Sequence, residues 1–170
     1  FNTDFFGMRA LIKSAGLDLE NKTVLILGTG GTSKTAVEVS KSLGAKKIVK
    51  VSRKKSSDTV TYDEAYEKYS GADVIINTTP VGMFPNADKT PIDVKIFKNL
   101  QGVIDAVYNP LRTNFVLDAE SIGAKGRGGL YMLVAQAVYA SALFLDIPAS
   151  ESVIDKTYVR ILKEKCNIGL

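Results

Sequence analysis

The sequence predicts an α/β fold, a doubly wound parallel sheet with helices on both faces, on three observations. An unbroken apolar run, Val24 to Leu27, leads directly into glycines and then into a segment of helical spacing. Short apolar runs of the same kind return at 46–51, 72–77 and 102–108, with helical patterns between them. Strand, helix, strand, helix and strand are complete within the first half of the chain, which implies parallel strands joined by right-handed crossovers.

The 170 residues, 45% of them hydrophobic, suffice for one sizeable core but not for two full domains. The net charge of +4 comes from basic residues scattered along the chain, so no nucleic-acid partner is expected. There is no histidine, which excludes a Ser-His-Asp triad and a histidine-held metal within this chain. The single cysteine, Cys166, can form neither an internal disulfide nor a thiolate zinc site, and no metal is expected. No stretch approaches the roughly 18 apolar residues of a membrane span, and residues from Phe1 onward lack the make-up of a signal peptide. A cytoplasmic protein without a membrane partner is therefore expected.

Taken in order, residues 1–16 form a helix capped by Thr3 or Asp4 and ended by Gly16, with Phe5, Met8, Leu11, Ile12 and Ala15 on one face. By pattern alone Asp4 is an N-cap. Val24 to Leu27 is the first strand. Gly28, Gly30 and Gly31 turn the chain where a Cβ would collide with a pyrophosphate or force a disfavoured φ. The helix that follows, to Leu43, offers free N–H groups and a positive dipole end to that phosphate. Ser33 stands at the third glycine position of the G-x-G-x-x-G pattern, where a small side chain meets the packing need. The alternative is a glycine turn that binds nothing. Together these features describe a three-layer Rossmann-type sheet.

The second strand, 46–51, ends in Ser52-Arg53-Lys54-Lys55-Ser56-Ser57. A dinucleotide fold places an acid about 20 residues beyond the glycines to take the ribose hydroxyls. Here no acid occurs before Asp58. A carboxylate repels a 2′-phosphate, whereas an arginine holds it with paired charge-assisted hydrogen bonds, so NADP is favoured over NAD. A solvated basic turn is the alternative. A short helix over 62–69 and a third strand over 72–77 follow. The turn Asn77-Thr78-Thr79-Pro80-Val81-Gly82-Met83 should line the cofactor site, since ligands of such sheets lie beyond the carboxyl ends of strands.

A surface connection with a helical turn near 93–98 leads to a fourth strand, 102–108, and a helix over 113–122 with Phe115, Val116 and Ala119 facing the sheet. Residues 124–129 make a weak fifth strand, whose three glycines suggest close backbone approach. Residues 130–145 form the most apolar helix, expected to be buried on several sides, and its Gln136 is either a satisfied core residue or a substrate contact. The last helix, 151–165, carries a stripe of Ile154, Tyr158, Ile161 and Leu162.

Six segments in order resemble the shikimate dehydrogenase family, in its NADP-binding half: Asn2-Thr3-Asp4-Phe5-Phe6-Gly7, Gly28-Thr29-Gly30-Gly31-Thr32, Ser52-Arg53-Lys54, Asn77 to Met83, Asp105-Ala106-Val107-Tyr108-Asn109-Pro110, and Gly129 to Ala137. The resemblance implies reversible, NADP-dependent hydride transfer between shikimate and 3-dehydroshikimate, on the route to aromatic amino acids. It implies that Asp4 is catalytic, working with a lysine to orient the reacting hydroxyl, and that Asp4, Tyr108 and Gln136 contact the substrate. The N-cap reading of Asp4 gives way to this one, and a carboxylate at a helix start suits the dipole. For the cofactor it implies Gly28, Thr29, Gly30, Gly31, Thr32, Ser52, Arg53, Lys54, Thr78, Ala106 and Gly129 as binding residues, with Arg53 at the 2′-phosphate and the backbone of Ala106 and Gly129 near the nicotinamide.

Family members often carry asparagine where this chain has Ser52 and threonine where it has Lys54. None of the lysines here follows the family's catalytic-lysine motif. Residues 1–170 therefore read as the NADP-binding domain, with the first and last helices at a junction to an N-terminal substrate domain that this sequence does not contain. Some of the apolar surface of those two helices should then be exposed and able to self-associate. A quinate or shikimate enzyme, a non-catalytic NADP-binding module and a phosphate-binding structural domain are the other functions the motifs allow.

Overall fold

Six short strands form one parallel sheet in the computed structural model, which describes residues 2–167. They are β1 (Thr23–Leu27), β2 (Lys47–Val51), β3 (Thr59–Val60), β4 (Val74–Asn77), β5 (Gly102–Asp105) and β6 (Lys125–Arg127), in the order β3-β2-β1-β4-β5-β6. The helices are α1 (Thr3–Ser14), α2 (Gly31–Ser42), α3 (Tyr62–Tyr69), α4 (Asn114–Ser121), α5 (Leu130–Phe144) and α6 (Glu151–Asn167). No helix among the described residues is long and apolar enough to cross a membrane.

Side-chain alternation along β1 divides the core into two layers. Val24 and Ile26 pack with Met8, Leu11 and Ile12 of α1, Ala36 and Val39 of α2, Leu130 and Val134 of α5, and Ile154 of α6. Leu25 and Leu27 face the other way, onto Ala65 of α3 and Phe115, Val116 and Ala119 of α4. Both faces are covered, so the strands read as continuous apolar runs. The chain leaves β1 toward β2 on one side and returns to β4 on the other. This is the switch point beyond which such sheets bind ligands.

The structure corrects several sequence-based expectations. The cap of α1 is Asn2, whose side chain accepts from the Phe5 N–H at 3.2 Å, so Asp4 stands in the first turn without a capping role. Strand β3 was not expected, because two residues carry no period and gain their identity only by pairing with Lys50 and Val51. Strand β5 stops at Asp105 rather than reaching Tyr108, since the Asp105 carboxylate takes the Val107 N–H at 3.0 Å and turns the chain out of the ladder. Positive φ occurs at Gly28 (107°) but not at Gly30 (−77°).

Helix α5 is buried only in part. Leu130, Tyr131, Met132, Val134, Ala135 and Ala142 are buried, whereas Leu143, Phe144 and Leu145 are exposed, Phe144 at 89%. Helix α5 packs mainly against α1 and α6, and its last turn reaches beyond what they cover. The first and last helices do share one side of the sheet, joined also by a 2.7 Å ion pair between Lys13 and Glu151. Their inward stripes are covered: Met8, Ile12 and Ile154 are buried, and Phe5, Tyr158 and Ile161 pack against them. Around α5 and α6 the exposed apolar side chains include Leu143 and Phe144 at the end of α5, Leu145 and Ile147 just after it, and Val153 and Val159 of α6. The side chain of Cys166 lies outside the described residues.

Candidate functional site

A cleft of about 390 Å³ lies beyond the carboxyl ends of β1, β2 and β4, lined by Gly28, Thr29, Gly30, Val51, Ser52, Arg53, Tyr62 and Thr78 to Val81. Two kinds of glycine build its floor. At Gly28 the requirement is internal, because a Cβ there would stand 2.8 Å from Thr78 Oγ1 and the φ is left-handed. Its N–H donates to the Val51 carbonyl at 2.9 Å, and its own carbonyl accepts from Ser33 Oγ at 2.7 Å. The buried Ser33 thus fills the third glycine position with a hydroxyl that fixes the turn.

At Gly30 and Gly31, among the described residues and apart from the adjoining chain, nothing lies within 4 Å of an added Cβ. No contact in the fold requires glycine at these two positions, and the space beyond them belongs to whatever the turn receives. Gly30 caps α2 without a side-chain hydrogen bond, so the first N–H groups of the helix meet no capping side chain and face an opening. Thr32 is half-buried in that first turn. An uncapped helix start of this kind can receive an anion.

The basic turn after β2 divides by function. Lys55 pairs with Glu64 at 2.5 Å, and Asp58, the first acid after β2, is engaged by Lys50 and Ser56. Those contacts, with Lys50 first, hold the Asp58 carboxyl below its ordinary value. Arg53 lines the cleft, is exposed, and makes no hydrogen bond or ion pair among the described residues. Opposite it stands Tyr62 at the start of α3, which sequence reasoning missed; burial raises its phenol while the nearby Arg53 charge acts against the rise. An aromatic directly after the Thr61 cap was the available signal. Lys54 is exposed beside the cleft lining, its N–H reaching Ser52 Oγ at 3.4 Å.

The ends of β4 and β5 carry a polar network that was also missed. Paired in register, Asn77 and Asp105 are both fully buried. Asp105 accepts from Asn77 Nδ2 at 2.9 Å, the Val107 N–H at 3.0 Å and Thr113 Oγ1 at 2.6 Å. Asn77 Oδ1 in turn accepts from the N–H and Oγ1 of Thr79, at 3.0 and 2.7 Å. Polar residues closing two consecutive apolar runs were the signal in the sequence. Thr78, on the same turn, donates from Oγ1 to the Leu27 carbonyl at 2.6 Å and so binds the cleft wall to β1.

Gly129 explains the glycines near β6. A Cβ on it would lie 2.2 Å from the Ala106 carbonyl oxygen, and its N–H donates to the Val107 carbonyl at 2.8 Å. The close approach is to the chain leaving β5, which brings Ala106 and Gly129 together. On the far side of α5, Gln136 Nε2 donates to Asp4 Oδ1 at 2.6 Å. Tyr108 is 46% exposed on the segment after β5, and no hydrogen bond among the described residues ties it to that pair.

The sheet order, the switch-point cleft and the glycine turn define a Rossmann-type α/β protein. No family model matches the chain. It is 32% identical over 165 residues to the shikimate dehydrogenase (NADP(+)) of Clostridium beijerinckii, covering 93% of this chain and 61% of that one. Among solved structures, a chorismate mutase/shikimate 5-dehydrogenase fusion protein from Clostridium acetobutylicum superposes with a TM-score of 0.88 at 33% identity, over 97% of this chain and 62% of the other. The shikimate 5-dehydrogenase of Thermus thermophilus, in complex with NADP(H) and shikimate, gives 0.78 at 26% identity, over 94% and 62%. The chain belongs to the shikimate dehydrogenase family over the part of those proteins that it spans, which is less than two thirds of their length.

Proposed function

We propose that residues 1–170 are the NADP-binding domain of an NADP-dependent shikimate dehydrogenase. The observation that carries this reading is the open space at Gly30 and Gly31, at an uncapped helix start, in a cleft that ends at an unpaired Arg53. Gly28 to Thr32 hold the pyrophosphate with backbone N–H groups and the helix dipole. Arg53, with Ser52 and Lys54 beside it, takes the 2′-phosphate in a place where an acid would otherwise favour NAD. Thr78, Ala106 and Gly129 border the nicotinamide. When bound, the cofactor supplies the hydride donor or acceptor.

On the substrate side, Asp4 is held in one orientation by Gln136 and presents its second carboxylate oxygen for a ring hydroxyl. In this reading Asp4 is the catalytic residue of the chain, Gln136 and Tyr108 contact shikimate or 3-dehydroshikimate, and a lysine from a substrate domain completes the proton-transfer pair. Support for the substrate comes from the family and from the Thermus thermophilus complex, which contains NADP(H) and shikimate. Calorimetric titration of the chain with NADPH and NADH tests the proposal. NADPH is expected to bind and NADH to bind more weakly; a chain that takes up neither overturns the reading.

A further inference from the structure

We propose that Asp105 is a positioning residue for the nicotinamide half of the cofactor site, tying the cleft turn Thr78 to Val81 to the Ala106–Tyr108 segment through Asn77. This inference rests on the NADP reading of the cleft. A carboxylate offers only acceptors, so Asn77 must turn its amide NH₂ toward Asp105 and its carbonyl oxygen toward Thr79. That orientation places Asn77 Oδ1 to receive both the N–H and the hydroxyl of Thr79, and Thr79 Oγ1 then receives the Val81 N–H at 3.3 Å. The amide NH₂ also reaches the Val81 carbonyl at 3.4 Å. The hydrogen bonds that Asn77 makes to Thr79 and Val81 thus depend on which way its amide faces, and Asp105 decides it.

The same carboxylate holds the other side of the site. It fixes the Val107 N–H, and the Val107 carbonyl receives the Gly129 N–H, so Ala106, Val107 and Gly129 move as one unit with Asp105. Thr113, the cap of α4, clamps the second carboxylate oxygen from outside the cleft. Gly28 packs against Thr78 and Thr79, but no hydrogen bond among the described residues joins the glycine turn or Arg53 to Asn77 or Asp105. In a doubly wound sheet the adenosine half of a dinucleotide lies over β1 and β2 and the second half over β4 and β5, so Asp105, at the end of β5, acts mainly on the second half.

The test compares two probes on the chain as it stands: NADPH, which fills both halves, and 2′,5′-ADP, which fills only the adenosine half. Asp105→Ala removes the acceptor and is expected to weaken NADPH by about three- to tenfold, leaving 2′,5′-ADP within about twofold. Asp105→Asn keeps an oxygen for Asn77 and Val107 and is expected to retain NADPH affinity. Should Asp105→Ala fail to fold, Thr113→Val against Thr113→Ser asks the same question from a residue outside the cleft: the valine variant loses NADPH affinity selectively and the serine variant keeps it. Equal losses for the two probes, or none, overturn the assignment. A wild-type chain that binds neither probe overturns the cofactor reading instead.

Discussion

Gln136 donates to Asp4 across 2.6 Å because Gly7, one turn along α1 from Asp4, lets the two helices touch. An added Cβ at Gly7 would stand 2.6 Å from Gln136 Cγ and 3.1 Å from the Met132 carbonyl oxygen. Alanine favours a helix over glycine by about 1 kcal/mol, but overpacking of this kind costs about 1 to 3 kcal/mol. Gly7→Ala is therefore expected to lower stability by about 1 kcal/mol in urea unfolding. The double variant Gly7→Ala with Gln136→Ala should recover most of the loss, because it removes the atom that is struck. A double variant no more stable than Gly7→Ala alone would show that Gln136 is not the obstacle.

Arg53 is the second test. A hydrogen bond to a charged group contributes roughly 1.5 to 3 kcal/mol, so Arg53→Ala should weaken NADPH by about one to two powers of ten and leave NADH nearly unchanged. Calorimetry on both cofactors reads the difference. Equal weakening of the two would remove Arg53 from the 2′-phosphate. Because its partner would be a surface phosphate, the NADPH affinity of the wild type should also fall with added salt more steeply than that of the variant.

The parts of this molecule that were legible in sequence are those whose cause is local. Val24 to Leu27 reads as a buried strand because both its faces are covered, and Gly28 to Gly31 as a turn because glycine has few other uses there. Thr59 and Val60 become a strand only by lying against Lys50 and Val51, a pairing that two residues are too few to announce by any period of their own. Asp4 and Gln136 entered through the family resemblance, yet their contact spans 132 positions and depends on the size of Gly7. The Asn77–Asp105 pair depends on the register of β4 against β5, so the residues were visible and their relationship was not.

Asp105 also sets a pH dependence. Burial pushes its carboxyl from an ordinary 3.8 up to about 6, against the hydrogen bonds from Thr113, Val107 and Asn77, which lower it. The folded state therefore holds this proton more firmly than the unfolded state. Its contribution favours folding at acid pH and is lost as the pH rises between 3.8 and about 6, by on the order of 3 kcal/mol. Glu64 acts in the opposite sense: Lys55, the Thr61 N–H and Lys68 lower it from 4.5 to about 2, so its contribution disappears as the pH falls through that range. Urea midpoints measured across the Asp105 range should fall with rising pH less steeply in Asp105→Asn than in wild type. Parallel profiles for the two proteins would mean that Asp105 does not carry the raised carboxyl.

The final expectation concerns turnover. Reducing a ketone or oxidising a secondary alcohol requires the reacting carbon to be fixed against the nicotinamide while a proton moves at the oxygen, and positioning alone supplies several kcal/mol of the barrier. In this chain the proposed substrate contacts are Asp4, Gln136 and Tyr108, of which Tyr108 stands exposed without a hydrogen bond to the other two. Three such groups hold a polyhydroxylated ring poorly, so residues 1–170 alone are expected to bind NADPH but to show no shikimate-dependent NADPH formation. Fusion to the N-terminal part of a family relative should restore turnover. In that fusion Asp4→Asn is expected to lower kcat by about two powers of ten or more, since general acid–base groups contribute on that scale. The asparagine still offers Gln136 an acceptor oxygen, so the contact between α1 and α5 survives and the loss reports on the missing charge rather than on folding. Robust turnover by residues 1–170 alone would show that the essential groups all lie in this chain and overturn the lysine from a substrate domain, whereas an Asp4→Asn fusion as fast as its parent would remove Asp4 from the proton-transfer role.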